Sequence, residues 1–245
     1  MIQNKVILFV ALLFPISTFG QLYQKENAQK IVKDSKKVLV NEKDKTVKYF
    51  ETKDDSYISV KGNENWLKGV LGLSQKHNLQ YKIEEEDRQG LIHRKYQIYY
   101  NNIPVEWNYY IIHYQRGRIV SANGEYILGT DISTKPKMDE LVAFNIAKNS
   151  IEAKTYHWEV VNMERPMGEL VILPKDNLYV LAYKFDIWAE EPLSRQYIYV
   201  DANNGNIIQI IDRIHNANTI GNAETMYNGT VSITTDSYNG LFRVR

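Results

Sequence analysis

Cysteine is absent from the 245 residues. That removes disulfide frameworks, thiolate zinc sites, iron–sulfur clusters, thiol-protease chemistry and lipid attachment at a lipoprotein cysteine. An excess of one charge sign is missing as well. Thirty Lys and Arg stand against 29 Asp and Glu, a formal net charge of +1, with no long basic stripe. Nucleic-acid binders carry such a stripe, so that class is set aside. Glycine (13) and proline (6) are scarce beside 18 Tyr. Tyrosine favours strands, and the chain leans toward antiparallel β. Its 44% apolar and 24% charged residues are ordinary globular usage, and the length allows one or two cores.

Long apolar runs are missing after the first twenty residues. Lys5 precedes the run Val6–Phe14 (VILFVALLF), Pro15 and Ser17 break it, and Thr18-Phe19-Gly20 precedes Gln21. A charged start, a short apolar run and a small-x-small site describe a signal peptide over 1–20, cleaved between Gly20 and Gln21. The run is too short to span a bilayer, which takes about 20 apolar residues. An exported mature chain with no membrane segment is expected.

The usual catalytic wording is missing too. A zinc-hydrolase helix needs two His four residues apart with a Glu between them, but the five His stand at 77, 93, 113, 157 and 215. There is no G-x-S-x-G, Walker loop or G-x-G-x-x-G. His93 and His113 read as packed or hydrogen-bonded strand residues, since catalysis needs a constellation. Glu84-Glu85-Glu86-Asp87 reads as a solvated strand edge that discourages pairing rather than as a cation site. Asp201-Ala202-Asn203-Asn204-Gly205 lacks the Glu and the Gly spacing of a calcium loop and reads as a hairpin turn. Asn228-Gly229-Thr230 is a weak glycosylation sequon. No catalytic or metal-ligating residue is assigned.

What is present is a repeated plan. Residues 21–62 are lysine-rich with balancing acids and predict a charged N-terminal arm, a solvated helix or flexible stretch. Trp66, Leu67, Val70, Leu71 and Leu73 then fall at helical spacing after Asn63-Glu64-Asn65. Strands are expected at 81–88, 92–100, 105–114 and 119–127. A polar stretch around Pro136 marks a linker. Asp139 is a candidate N-cap for a second helix with Val142, Ala143, Ile146, Ala147 and Ile151 on one stripe. Five strands are expected after it, at 157–163, 168–174, 178–188, 195–200 and 206–212. The periodicity stops at His215-Asn216-Ala217-Asn218-Thr219-Ile220-Gly221, which reads as an exposed, cleavable connection. Strand signals resume at 225–227 and 230–234.

Two stretches, and then a third, have a recognisable wording. His93-Arg94-Lys95-Tyr96-Gln97-Ile98-Tyr99-Tyr100-Asn101-Asn102-Ile103-Pro104-Val105-Glu106 resembles the fungalysin/thermolysin propeptide motif, with Asn102 where the family usually has Gly. Residues 138–212 resemble a PepSY domain, through Leu181-Ala182-Tyr183-Lys184-Phe185 and Tyr199-Val200-Asp201-Ala202. Residues 221–245 resemble the opening strands of a mature thermolysin-like catalytic domain.

The resemblance implies the pro-region of a secreted thermolysin-like zinc metalloprotease precursor. The expected fold is α+β: two tandem helix-plus-antiparallel-sheet (cystatin-like) domains, then the first strands of an incomplete catalytic domain. The expected divisions are a signal peptide (1–20), a charged arm (21–62), a propeptide-type domain (63–129) and a linker (130–137). A PepSY-like domain (138–214), a candidate maturation linker (215–222) and the start of the protease domain (223–245) follow. The propeptide-motif residues are His93, Arg94, Tyr96, Gln97, Tyr99, Ile103, Pro104 and Val105. By resemblance this part acts as intramolecular chaperone and latency inhibitor of a protease domain in cis. Zinc and calcium belong to that domain, and this chain binds no cofactor. Trp107, Tyr109 and Trp188 are candidates for docking it. The alternative reading is a standalone secreted PepSY-type binding or inhibitor module, and a third, a glycan-binding β protein, would use Trp66 and Trp107.

Overall fold

The computed structural model describes residues 20–126, 132–175, 178–214, 218–225, 229–238 and 241–244. The expected signal peptide, apart from Gly20, and the sequon at Asn228 lie outside the described residues, as do His215, Asn216 and Ala217. The fold is mixed α/β, mostly strand with few and short helices. It divides into two compact units, residues 1–75, 79–98 and 107–128 in the first, and 76–78, 99–106 and 129–245 in the second.

The first unit is built from β1 (Gly20–Gln24), α1 (Glu26–Gln29), β2 (Ser35–Asn41), β3 (Val47–Thr52), α2 (Glu64–Val70), β4 (His77–Glu86), β5 (Ile92–Tyr100), β6 (Ile103–Gln115) and β7 (Arg118–Glu125). Its strands run in the order β1-β2-β3-β7-β6-β5-β4. Residues 21–62 are therefore not a solvated arm. Val38, Val40, Val47 and Phe50 alternate with lysines and acids, so one face of β2 and β3 is apolar despite the charge count. Those four side chains are buried beside Leu67 and Leu71 of the α2 segment and Tyr96, Ile98, Tyr110 and Ile112 of β5 and β6. Phe50 meets Trp66 edge to face at 5.8 Å. Trp66 is thus a packing residue, which removes it from the glycan-binding reading. Among the described residues β4 pairs only with β5, and its acidic residues 84–86 are exposed.

The second unit takes in the β5–β6 turn and α3 (Glu140–Asn149), β8 (Thr155–Tyr156), α4 (His157–Val160), β9 (Glu169–Lys175), β10 (Leu178–Glu191), β11 (Leu193–Asp201) and β12 (Ile207–Asp212). The order β9-β10-β11-β12 is antiparallel throughout. The start of β6 lies parallel to β9, with Val105 opposite Ile172. Asp139 caps α3, its side chain accepting from the Leu141 N–H at 2.8 Å.

The expected helical stripe is partly displaced. Ala143, Phe144 and Ala147 are buried, while Val142 is 49% exposed, because the bulky Phe144 ring turns inward against Phe185 at 5.8 Å. Along β10, Leu181, Tyr183, Phe185, Ile187 and Ala189 face that core at a two-residue period, and Ala182 faces a smaller one with Val171, Leu173 and Tyr199.

A strand over 157–163 does not form. β8 is two residues long and α4 follows, because Glu159 folds back to accept from the Tyr156 N–H at 3.2 Å and Tyr156 stacks on Trp158 at 4.6 Å. At Asp201–Gly205 the hairpin turn is present: Asp201 Oδ1 accepts from the Asn203 and Asn204 N–H groups, and Gly205 has φ +78°. Finally β13 (Asn218–Thr225), β14 (Gly229–Tyr238) and β15 (Leu241–Val244) form a three-stranded sheet. Residues 218–221 of the expected unpatterned connection are thereby strand, paired from Asn218↔Asp236 to Gly221↔Ile233.

Candidate functional site

The motif residues fall on β5 and β6, and their two faces carry different chemistry. On the polar face of the first unit, Asp87 sets the β4–β5 corner. Its Oδ1 accepts from the Gln89 N–H at 2.8 Å and the Leu91 N–H at 3.0 Å, while Gly90 supplies φ +75°. Those two backbone donors hold the Asp87 carboxyl below its ordinary value. Its Oδ2 lies 3.3 Å from His93 Nε2. His93 Nδ1 is 2.5 Å from His113 Nδ1, and His113 Nε2 is 2.5 Å from Asn123 Oδ1. The imidazoles meet edge to face, at 4.8 Å and 76°. Burial pushes His113 down; the Asn123 hydrogen bond opposes this and the His93 charge adds to it.

On the apolar face, Arg94 and Tyr96 tie β5 to the chain around α2. Arg94 Nε donates to Glu84 Oε2 at 2.5 Å, and its guanidinium lies 5.3 Å over the Tyr114 ring. That donation holds the Glu84 carboxyl below its ordinary value. The Tyr96 hydroxyl, on a side chain 1% exposed, faces Asn63 Oδ1 and Glu64 Oε1 at the helix start. Gln97 is buried.

The remaining motif residues belong to the second unit. Asn101 (φ +46°) and Asn102 (φ +64°) make the two-residue β5–β6 turn in the left-handed region, which explains why Asn can stand where the family uses Gly. Asn101 N–H donates to the Lys76 carbonyl at 2.8 Å. Tyr99 and Ile103 are half-buried, and Pro104 and Val105 buried, at the edge of the β9–β12 sheet. Next to them Glu106 Oε1 pairs with Lys184 Nζ at 2.9 Å, side chains 8% and 18% exposed, and Tyr199 donates to Glu106 Oε2 at 3.4 Å.

The second unit also holds a cavity of about 270 Å³ lined by His157, Trp158, Met163, Pro166, Trp188 and Arg195, among others. His157 stacks on Trp188 at 3.8 Å and reaches Glu190 Oε1 at 2.6 Å, and Arg195 caps the other side while gripping Asp186. Among the docking candidates, Trp188 is thus half-buried in this stack and Tyr109 lies under Lys95 Nζ at 3.9 Å, while Trp107 is 42% exposed. Among the described residues no group of three His, Asp or Glu is placed to hold a metal, and no helix is long and apolar enough to cross a membrane. The Asp87–His93–His113–Asn123 chain was not legible beforehand. Its members are up to 36 positions apart, and only strand pairing brings them together.

Comparison with known proteins bears on the same strands. The fungalysin/thermolysin propeptide motif matches residues 81–126, from within β4 to just past β7. Neutral protease B of Bacillus subtilis (strain 168) is 36% identical over 88 residues, which is 36% of this chain and 16% of that protein. Bacillolysin of Bacillus amyloliquefaciens is 30% identical over 167 residues, 65% of this chain and 32% of that protein. The chain therefore spans less than a third of either curated relative. The solved Bacillus megaterium YpeB C-terminal domain aligns with 80% of this chain and 91% of its own, at 12% identity and a TM-score of 0.37. The propeptide motif and the two neutral-protease relatives together support a similarity to the pro-regions of thermolysin-like proteases.

Proposed function

We propose that the chain serves as intramolecular chaperone and latency inhibitor of a secreted zinc metalloendopeptidase until it is cut away. The observation that carries this reading is the propeptide motif at 81–126, folded as a contiguous set of strands in a chain similar to two neutral proteases. In this reading residues 1–20 are a signal peptide cleaved at Gly20–Gln21. The two compact units are read as cystatin-like domains, the second PepSY-like. Residues 215–222 carry the maturation cut, and 223–245 open the protease domain. Zinc and calcium belong to that domain, which is the partner in cis.

The physical basis is kinetic. A protease trapped behind a high unfolding barrier folds slowly by itself, and a preformed β surface that favours its transition state speeds it. Tethering then holds inhibitor and enzyme at an effective concentration of about millimolar, so modest contacts suffice until the link is cut. Refolding of a denatured thermolysin-like neutral protease with and without the purified chain tests the chaperone role. A severalfold higher recovery of activity is expected with the chain, and equal recovery contradicts it. N-terminal sequencing of the matured enzyme is expected to give a start within 213–225, and a start well outside contradicts the maturation linker.

A further inference from the structure

We propose that the His93–His113 pair is a single-proton site that weakens the first unit in acid. Asn123 Oδ1 can only accept, so His113 Nε2, 2.5 Å away, carries a hydrogen. A neutral imidazole has one hydrogen, which leaves a lone pair on His113 Nδ1. His93 Nδ1, at 2.5 Å, must then donate, and His93 Nε2 donates to Asp87 Oδ2 at 3.3 Å. If His113 bears the extra proton instead, its Nδ1 donates to His93 Nδ1; in either case the pair holds one extra proton, whose charge Asp87 balances. Turning the Asn123 amide over reverses the chain of donors: Asn123 donates to His113 Nε2, His113 Nδ1 to His93 Nδ1, and His93 Nε2 to Asp87, with both rings neutral. The pair thus holds zero protons or one with every hydrogen bond intact. A second proton sets two N–H groups against each other at this separation, and the rings must part.

The neighbours do not relieve that conflict. From the β4–β5 corner Asp87 reaches the pair. On β5 itself Lys95 lies two residues on, its ammonium 3.9 Å over the Tyr109 ring of β6. From β7 come neutral Asn123 and, farther along, Glu125, which is held by Lys48. On β3 Tyr49 stands opposite Asn123, next to Glu51, whose partner is Lys36. Among the described residues the pair's carboxylate partner is Asp87, enough for one charge.

In the unfolded chain each His takes its proton near pH 6.5, so by about pH 5 the unfolded state holds two protons where the folded pair holds one. Stability therefore falls as the pH drops below about 6.5, because the unfolded state takes up a second proton that the folded pair cannot hold. This stands on geometry alone and holds whatever the chain's function.

Long-range ¹H–¹⁵N NMR of the full chain, labelled at histidine, reads the ring nitrogens directly between pH 8 and pH 4.5. The expected result is joint titration of His93 and His113, with one proton taken up while the strand resonances stay native and the second only as they are lost. Two independent full titrations near pH 6.5 in a native chain would overturn the proposal. His113→Gln keeps a hydrogen-bonding side chain without a titrating one. It is expected to remove at least half of the drop in urea midpoint between pH 7 and pH 5, and an unchanged drop would also overturn it. If that variant does not fold, the NMR titration of the unaltered chain still decides.

Discussion

The Tyr126 hydroxyl donates to the Leu71 carbonyl at 2.9 Å and accepts from the Val47 N–H at 3.1 Å, while Tyr110 donates to the Val47 carbonyl at 3.0 Å. Two phenols thus satisfy the first residue of β3 inside the core of the first unit. Burial pushes Tyr126 up to about 12 and Tyr110 well above its ordinary value. Their neutral forms are favoured in the folded state, so this contribution is whole below about pH 10 and is lost as the pH rises toward 12. Tyr126→Phe is expected to lower unfolding free energy by about 1–3 kcal/mol at neutral pH, the range for stranding a buried partner. It should also shallow the alkaline loss seen in urea titrations between pH 9 and pH 11. At Asn102 the left-handed φ sets the outcome. Asn102→Val is expected to cost about 1–2 kcal/mol and Asn102→Gly to cost nothing, read from thermal or urea midpoints.

At the scale of elements, α3 depends on a single cap. Asp139→Ala removes the acceptor for the Leu141 N–H and is expected to cost about 1 kcal/mol in urea unfolding. The Glu106–Lys184 pair belongs to another class, since removing one partner leaves the other charge buried. Glu106→Ala is expected to cost about 3–5 kcal/mol, and adding Lys184→Met to restore part of it in a double-mutant cycle.

The legible elements are those with an uninterrupted pattern. β10 announces itself by Leu181, Tyr183, Phe185 and Ile187, and α3 by Asp139 before its apolar stripe. β2 and β3 were hidden because lysine fills their solvent face, so the charge count masked the alternation of Val38, Val40 and Phe50. A strand over 157–163 is expected where α4 stands, because the Glu159-to-Tyr156 backbond and the Tyr156–Trp158 stack are local geometry that hydrophobic period does not report.

For the whole molecule, the sequence suggested units that follow one another, whereas residues 76–78 and 99–106 belong to the second unit and their flanks to the first. Such an exchange follows from strand pairing, which a linear reading does not contain. The candidate site was legible in part. Its motif residues were named from their wording, but the links that join His93 to His113 and Asp87 are products of the fold.

In the proposed function this chain holds a thermolysin-like protease inactive. The inhibition constant of the purified full chain, measured against a Bacillus neutral protease with a peptide substrate at pH 7.5, tests it most directly. The account predicts saturable inhibition at micromolar chain or below, weakening as the chain itself is digested. Undiminished hydrolysis at a hundred-fold molar excess of intact, folded chain would contradict it.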